Sequence, residues 1–118
     1  MFDEVLKRML DEVGGMRCVL LAGADGVVVA SAVASGGPAP DVVAASLADL
    51  FRRVAFAHRE AGLAPPQEFT SGDGREQAAL RSVTPHYLLV AVLDGIEHLG
   101  RTRFELRKAA AALQVELG

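Results

Sequence analysis

The sequence predicts a mixed α/β (α+β) fold, a three-layer α-β-α sandwich with a five-stranded antiparallel sheet as its middle layer. Three observations carry this. Helical periodicity recurs at both ends and in the middle of the chain. Short apolar runs fall between those helices in groups of two and three. Within each group the runs are joined by tight-turn residues, which makes their pairing antiparallel. The resulting order is α-β-β-α-β-β-β-α. No linker divides residues 1–118, which read as a single domain.

Residues 2–13 form the first predicted helix, with Phe2, Val5, Leu6, Met9, Leu10 and Val13 on one stripe and Asp3, Lys7, Arg8 and Asp11 opposite. Gly14-Gly15 ends it, since glycine adopts the left-handed cap conformation at little cost. Strands at 17–22 and 27–33 flank Ala24-Asp25-Gly26, a hairpin signal. Their runs are apolar continuously rather than alternately, as expected of strands covered on both faces. Residues 34–40 form a breaker-rich loop, and Asp41 is expected to cap a helix over 41–61 that stops at Gly62. Three further strands follow at about 67–71, 75–83 and 87–93, separated by Gly72-Asp73-Gly74 and Thr84-Pro85-His86. A last helix covers about 97–117, with Leu99, Leu106, Ala110, Leu113 and Leu117 on one side. Sheet faces need cover, so the middle helix is placed on one face and the two terminal helices on the other.

Bulk properties narrow the function. Apolar residues make up 51% of the chain, enough for a real core. A net charge of −3 and the absence of Trp argue against a nucleic-acid partner. No segment approaches the apolar length of a membrane span, and the N-terminus carries no basic targeting region, so a cytoplasmic protein without a membrane partner is expected. Cys18 stands alone in an apolar run and reads as an inert buried thiol.

The middle helix is the most informative element. At 100° per residue it sorts into three strips. Val43, Leu47, Leu50, Val54, Ala57 and Ala61 are expected to face the sheet, where truncating Leu47 or Leu50 would cost roughly 2–5 kcal/mol. Ala44, Ala48, Phe51 and Ala55 form a small-residue strip that suits close approach of another helix. With no second helix expected on that face, the contact is assigned to a second copy of the chain. Phe69, on the polar strand at 67–71, joins this dimer seam because an open sheet edge invites pairing. Ala45, Asp49, Arg52, Phe56 and Arg59, with Arg53 beside them, form an outward ridge. An aromatic flanked by arginines has the composition of a binding hot spot.

Motifs for chemistry are missing. No phosphate-binding loop, dinucleotide fingerprint or nucleophile elbow is present, so neither an enzyme nor a cofactor site is expected. His58, His86 and His98 lie on separate elements without metal-ligand spacing. The last helix is basic in its first half, with Arg101, Arg103, Arg107 and Lys108. Arg103 and Arg107, one turn apart, could hold an acidic group, for which the first helix offers Asp3, Glu4, Asp11 and Glu12.

Three stretches carry a family likeness: the opening helix ending in Val13-Gly14-Gly15, the segment Val19 to Ala30, and the run Leu99 to Lys108. In this order and spacing the chain resembles the roadblock/dynein light chain family, of the bacterial MglB type, over essentially its whole length. The resemblance implies a profilin-like roadblock fold and a homodimer built from the middle helix and the neighbouring edge strand. It also implies that paired middle helices present a platform to a Ras-like small GTPase and accelerate GTP hydrolysis without inserting an arginine finger. By element, the platform falls on Ala45, Asp49, Arg52, Arg53, Phe56 and Arg59, and the seam on Ala44, Ala48, Phe51, Ala55 and Phe69. The alternative is a dimeric scaffold or light-chain subunit with no effect on hydrolysis.

Overall fold

In the computed structural model, which describes all 118 residues, the elements are α1 (Phe2–Glu12), β1 (Met16–Gly23), β2 (Val28–Val33), α2 (Pro40–Glu60), β3 (Glu68–Gly72), β4 (Glu76–Thr84), β5 (Tyr87–Asp94) and α3 (Leu99–Leu117). A 3-10 turn, Ile96–His98, leads into α3. The five strands form one sheet of order β2-β1-β5-β4-β3, antiparallel throughout. The predicted order and class of elements are therefore the observed ones. The most apolar strands, β1 and β5, occupy the middle, where both faces are covered. No helix is long and apolar enough to cross a membrane.

The sheet separates two cores. On one face α1 and α3 supply Leu6, Met9, Leu106 and Leu113, which pack on Val19, Leu21, Leu89 and Ala91. On the other, Ala44 and Ala48 of α2 pack on Cys18, Leu20, Ala22, Leu80, Leu88 and Val90. Cross-strand register builds this second face from aligned rows. Ser31, Leu20, Val90, Leu80 and Phe69 pair successively across all five strands. Cys18 is fully buried in this layer, and burial pushes its thiol pKa up, which keeps it protonated and unreactive.

Two local expectations are corrected. Asp41 does not cap α2. The helix begins one residue earlier with Pro40 in its first turn and Ala39 at the cap position, and no side chain caps it. Proline fits there because its fixed φ suits the first turn and its missing N–H would have had no helical acceptor. Asp41 still lies in the first turn, where its charge complements the helix dipole.

The second correction concerns the rotation of α2. Ala44 and Ala48, 0% and 1% exposed, are the residues that face the sheet. Of the residues expected beneath the helix, Val43 and Leu47 are half-buried and pack against this core layer from the side, Leu50 and Val54 are half-buried, and Ala57 and Ala61 are exposed. The sheet face already presents large side chains, Leu20, Leu80, Leu88 and Val90. A helix that meets it with alanines sits closer and leaves its larger residues to fill the sides.

The β1–β2 turn fixes one end of α2. Gly26 has φ +89°, and a Cβ on it would lie 3.0 Å from Ala45 Cα. Asp25 Oδ1 accepts from the Val27 amide at 3.1 Å, which closes the turn.

Ala48→Glu is expected to unfold the chain or render it insoluble, because a carboxylate would be forced against the chain's own sheet. Circular dichroism and light scattering check this; a folded, dispersed monomer would show that Ala48 does not face the sheet.

Candidate protein interaction site

With its alanines committed to the sheet, α2 turns a polar ridge to solvent. Ala45, Arg52, Arg53, Phe56 and Arg59 are exposed and Asp49 is half-buried. The structure thus brings all six predicted platform residues onto the outer side of one helix. Phe56 is 55% exposed, a large apolar surface for a residue with charged neighbours. The Arg59 guanidinium lies 5.6 Å from its ring centroid, a cation–π distance.

Asp49 orders the ridge. One carboxylate oxygen accepts from Arg52 Nη2 and the other from Arg53 Nε, each at 3.0 Å. Arg52 also donates through Nη1 to the Ala24 carbonyl at 2.7 Å, so the helix is tied to the β1–β2 turn. Exposed ion pairs of this kind contribute about 0–1 kcal/mol each, so their main effect is to hold the guanidiniums in place. A surface so prepared loses less side-chain entropy on docking.

The predicted seam residues divide. Ala44 and Ala48 are inside the chain and present no surface. Phe51, Ala55 and Phe69 are half-buried. Phe51 and Ala55 line a shallow groove with Pro65, Pro66, Thr84 and Pro85. Leu47, Leu50 and Val54, which sequence periodicity assigns to the sheet, instead form the half-buried flank of α2. Helical spacing puts this flank on the side of the helix away from Arg52, and Leu47 packs against the same core layer as Ala78 of β4 and Phe69 of β3. α2 itself covers β1, β2 and β5. β3, at the end of the sheet, pairs only with β4 and leaves its other side unpaired.

The opposite face carries an ionic cluster that sequence reasoning located only in part. Arg103 and Arg107 do hold a carboxylate, but it is Glu68 of β3 rather than an acid of α1. Arg107 Nε donates to Glu68 Oε2 at 3.1 Å and Arg103 Nε to Oε1 at 3.0 Å. Arg81, directly across the ladder from Glu68, donates to Oε2 at 2.9 Å. These arginines hold the Glu68 carboxyl at about 2, well below its usual 4.5, through hydrogen bonds from Arg107 and Arg103. The one-turn spacing of Arg103 and Arg107 was the available signal. Their partner, more than thirty residues away, has no local signature. No group of His, Cys, Asp and Glu is arranged to hold a metal ion.

No protein-family model and no curated protein matches this chain, whereas solved structures match it closely. An MglB with a tetrameric arrangement is 29% identical, with a TM-score of 0.83, covering 96% of this chain and 85% of that one. The gliding protein MglB from Thermus thermophilus is 28% identical, with a TM-score of 0.82 and the same coverage. A roadblock/LC7 domain from Streptomyces avermitilis is 15% identical, with a TM-score of 0.85, covering 98% of this chain and 96% of that one. The structural neighbours are thus MglB and roadblock/LC7 domain proteins, as the sequence resemblance implied.

The Glu68 cluster sets a pH dependence. A carboxyl at about 2 when folded and 4.5 when free adds stability above pH 4.5, and that contribution is lost as pH falls through about 2. Glu68→Gln is expected to lower stability at pH 7 by roughly 1–2 kcal/mol after solvent screening, and by little at pH 2. Urea unfolding across that range checks it; parallel pH profiles for the two proteins would refute the assignment.

Proposed function

We propose that this roadblock-type, MglB-like chain is a homodimeric regulatory partner of a Ras-like small GTPase, which docks on the outer side of α2 and has its GTP hydrolysis modulated there. The observation that carries this reading is the Phe56 ridge. It is an exposed aromatic among arginines, on a helix whose opposite side is fixed to the sheet, where the resemblance puts the platform. Buried aromatic and arginine side chains dominate the binding energy of most protein interfaces.

The chain's own groups fit an accessory role. Asp49 holds Arg52 and Arg53, and Arg59 lies against Phe56. The ridge therefore offers a shaped surface rather than a free guanidinium that reaches into a partner's site. Such a surface would act by binding one arrangement of the GTPase's own loops better than another.

The dimer follows from surface that one copy leaves open. Pairing β3 with its counterpart about a two-fold axis would extend the sheet and bring the two α2 flanks together. Leu47, Leu50 and Val54, with Phe51 and Phe69, then become the seam, and Ala44 and Ala48 stay inside each copy. Two ridges would lie side by side on one face.

Phe56→Ala is expected to weaken binding of the cognate GTPase by roughly 1–2 kcal/mol, about tenfold, while leaving the fold intact. Calorimetry with the purified pair measures this, and unchanged affinity would remove Phe56 from the platform. GTP turnover with and without the chain then separates a modulator from a scaffold, for which turnover stays constant despite binding. Leu50→Glu is expected to give a folded monomer, because the half-buried position lets the new carboxylate reach water. Light scattering that still shows a dimer would place the seam elsewhere.

A further inference from the structure

We propose that the outer ridge of α3, on the far side of the sheet from α2, is a second docking surface that takes an acidic amphipathic helix of a partner protein. α3 buries Thr102, Glu105, Leu106, Ala109 and Ala110 and leaves Arg101, Arg103, Phe104, Arg107 and Lys108 exposed. Phe104 is 57% exposed and Val115 84% exposed, with the exposed Ala111 between them. Positions 104, 111 and 115 fall on one line of a helix, so these residues form an apolar stripe about 16 Å long.

Cations edge the Phe104 half of the stripe on both sides. Arg103 and Arg107 lie along one border, Arg101 and Lys108 along the other. All four have side chains between 44% and 63% exposed. Two carboxylates beneath them hold the set in place. Glu68 binds Arg103 and Arg107, and the buried Glu105 lies 3.5 Å from Arg101 and 3.8 Å from Lys108. With Arg81 also on Glu68, five cations share two carboxylates, so the ridge carries surplus positive charge on a chain whose net charge is −3. Lys108 lies 5.9 Å from the Phe104 ring centroid, which keeps the aromatic within the charged border.

An apolar line between two cationic borders is complementary to a helix with an apolar stripe edged by Asp and Glu. Arg103 and Arg107 turn their Nε and Nη2 edges to Glu68, so a partner's carboxylates would meet guanidiniums already held in place, through their remaining donors and their charge. The charge pattern also discriminates among occupants. A second copy placing its own α3 here would set like charges against each other. A flat anionic bilayer would meet α1 as well, which packs on the same face of the sheet and carries exposed Asp3, Glu4, Asp11 and Glu12. A single acidic helix can lie along α3 and avoid them.

The test uses the full chain and a fluorescein-labelled synthetic peptide of about 14 residues, long enough to cover the ridge. Its leucines follow helical spacing and its flanks are glutamates. A second peptide replaces every glutamate with lysine. Fluorescence anisotropy at low ionic strength is expected to show binding of the acidic peptide only. Phe104→Ala and Lys108→Glu, both at exposed positions, should each weaken it about tenfold with unchanged circular dichroism, whereas Phe56→Ala on α2 should not. Equal binding of both peptides, or of the variants and wild type, would overturn the proposal. So would loss of binding in Phe56→Ala. Co-sedimentation with phosphatidylcholine/phosphatidylserine vesicles that Phe104→Ala abolishes, without peptide binding, would overturn it in favour of a membrane surface.

Discussion

The close seat of α2 on the sheet is the contact on which the rest of this structure depends. Ala44 and Ala48, the fully buried residues of α2, share one core layer with Leu20, Leu80, Leu88 and Val90, and Val43, Leu47 and Phe51 pack against it from the helix's sides. A methyl group is the most that each of these helix positions contributes, so the helix can lie near the sheet and its rotation about its own axis is fixed. That rotation decides everything α2 shows to other molecules. Phe56 and the arginines point to solvent, and Leu47, Leu50 and Val54 point sideways along the sheet. A different residue at Ala48 would alter the exposed ridge through the phase of the helix without touching any residue of the ridge.

The other layer is organised by charge rather than by size. Glu68 stands on the edge strand β3 and binds Arg81 on β4 and Arg103 and Arg107 on α3. An edge strand has hydrogen-bonded neighbours on one side only, and is the part of a sheet most prone to fray. Tying it to a helix by ionic hydrogen bonds compensates for the missing neighbour. It also links the strand whose open side is the proposed seam to the helix on the opposite face. An isolated surface ion pair would contribute little. Glu68 is part of a network rather than a single pair, and the hydrogen bonds from Arg107 and Arg103 hold its carboxyl well below the usual range.

How far this was legible from sequence depends on the range of the forces involved. Element order was readable because it rests on local signals: Asp25-Gly26 closes the first hairpin, Gly62 stops α2, and Thr84-Pro85-His86 turns β4 into β5. The outward ridge was readable too, since Arg52, Arg53 and Arg59 have no place in an apolar core. The phase of α2 within its apolar half was not. Ranking by hydrophobicity put Leu47 and Leu50 inward, whereas packing favoured alanine once the facing strands supplied the bulk. Distinguishing those outcomes needs the size of the opposing side chains, and that depends on which strands lie beneath the helix. Glu68 was missed for the same kind of reason. Its arginines announced themselves at one-turn spacing, but the acidic segment that sequence reasoning offered them, α1, is not the one the fold brings to them.

These two layers give the chain surfaces that differ in kind as well as in place. On α2 the guanidiniums of Arg52 and Arg53 share the single Asp49 carboxylate beside them on the helix surface, and Phe56 is the exposed aromatic that a partner would cover. On α3 the balancing carboxylates lie underneath, and the outer rim keeps its positive charge around Phe104. Burial of an aromatic is nearly independent of ionic strength, whereas attraction between an unbalanced rim and an acidic partner is screened over about 8–10 Å at physiological salt. The sheet keeps the surfaces on opposite faces, so occupation of one leaves the other sterically free. What connects them is the β3–β4 edge, where Glu68 and Phe69 are consecutive residues with side chains on opposite faces. A dimer formed through that edge would hold Phe69 on the α2 side and, through the same stretch of backbone, steady Glu68 beneath the α3 ridge. Dimerisation would in this way stiffen both surfaces at once.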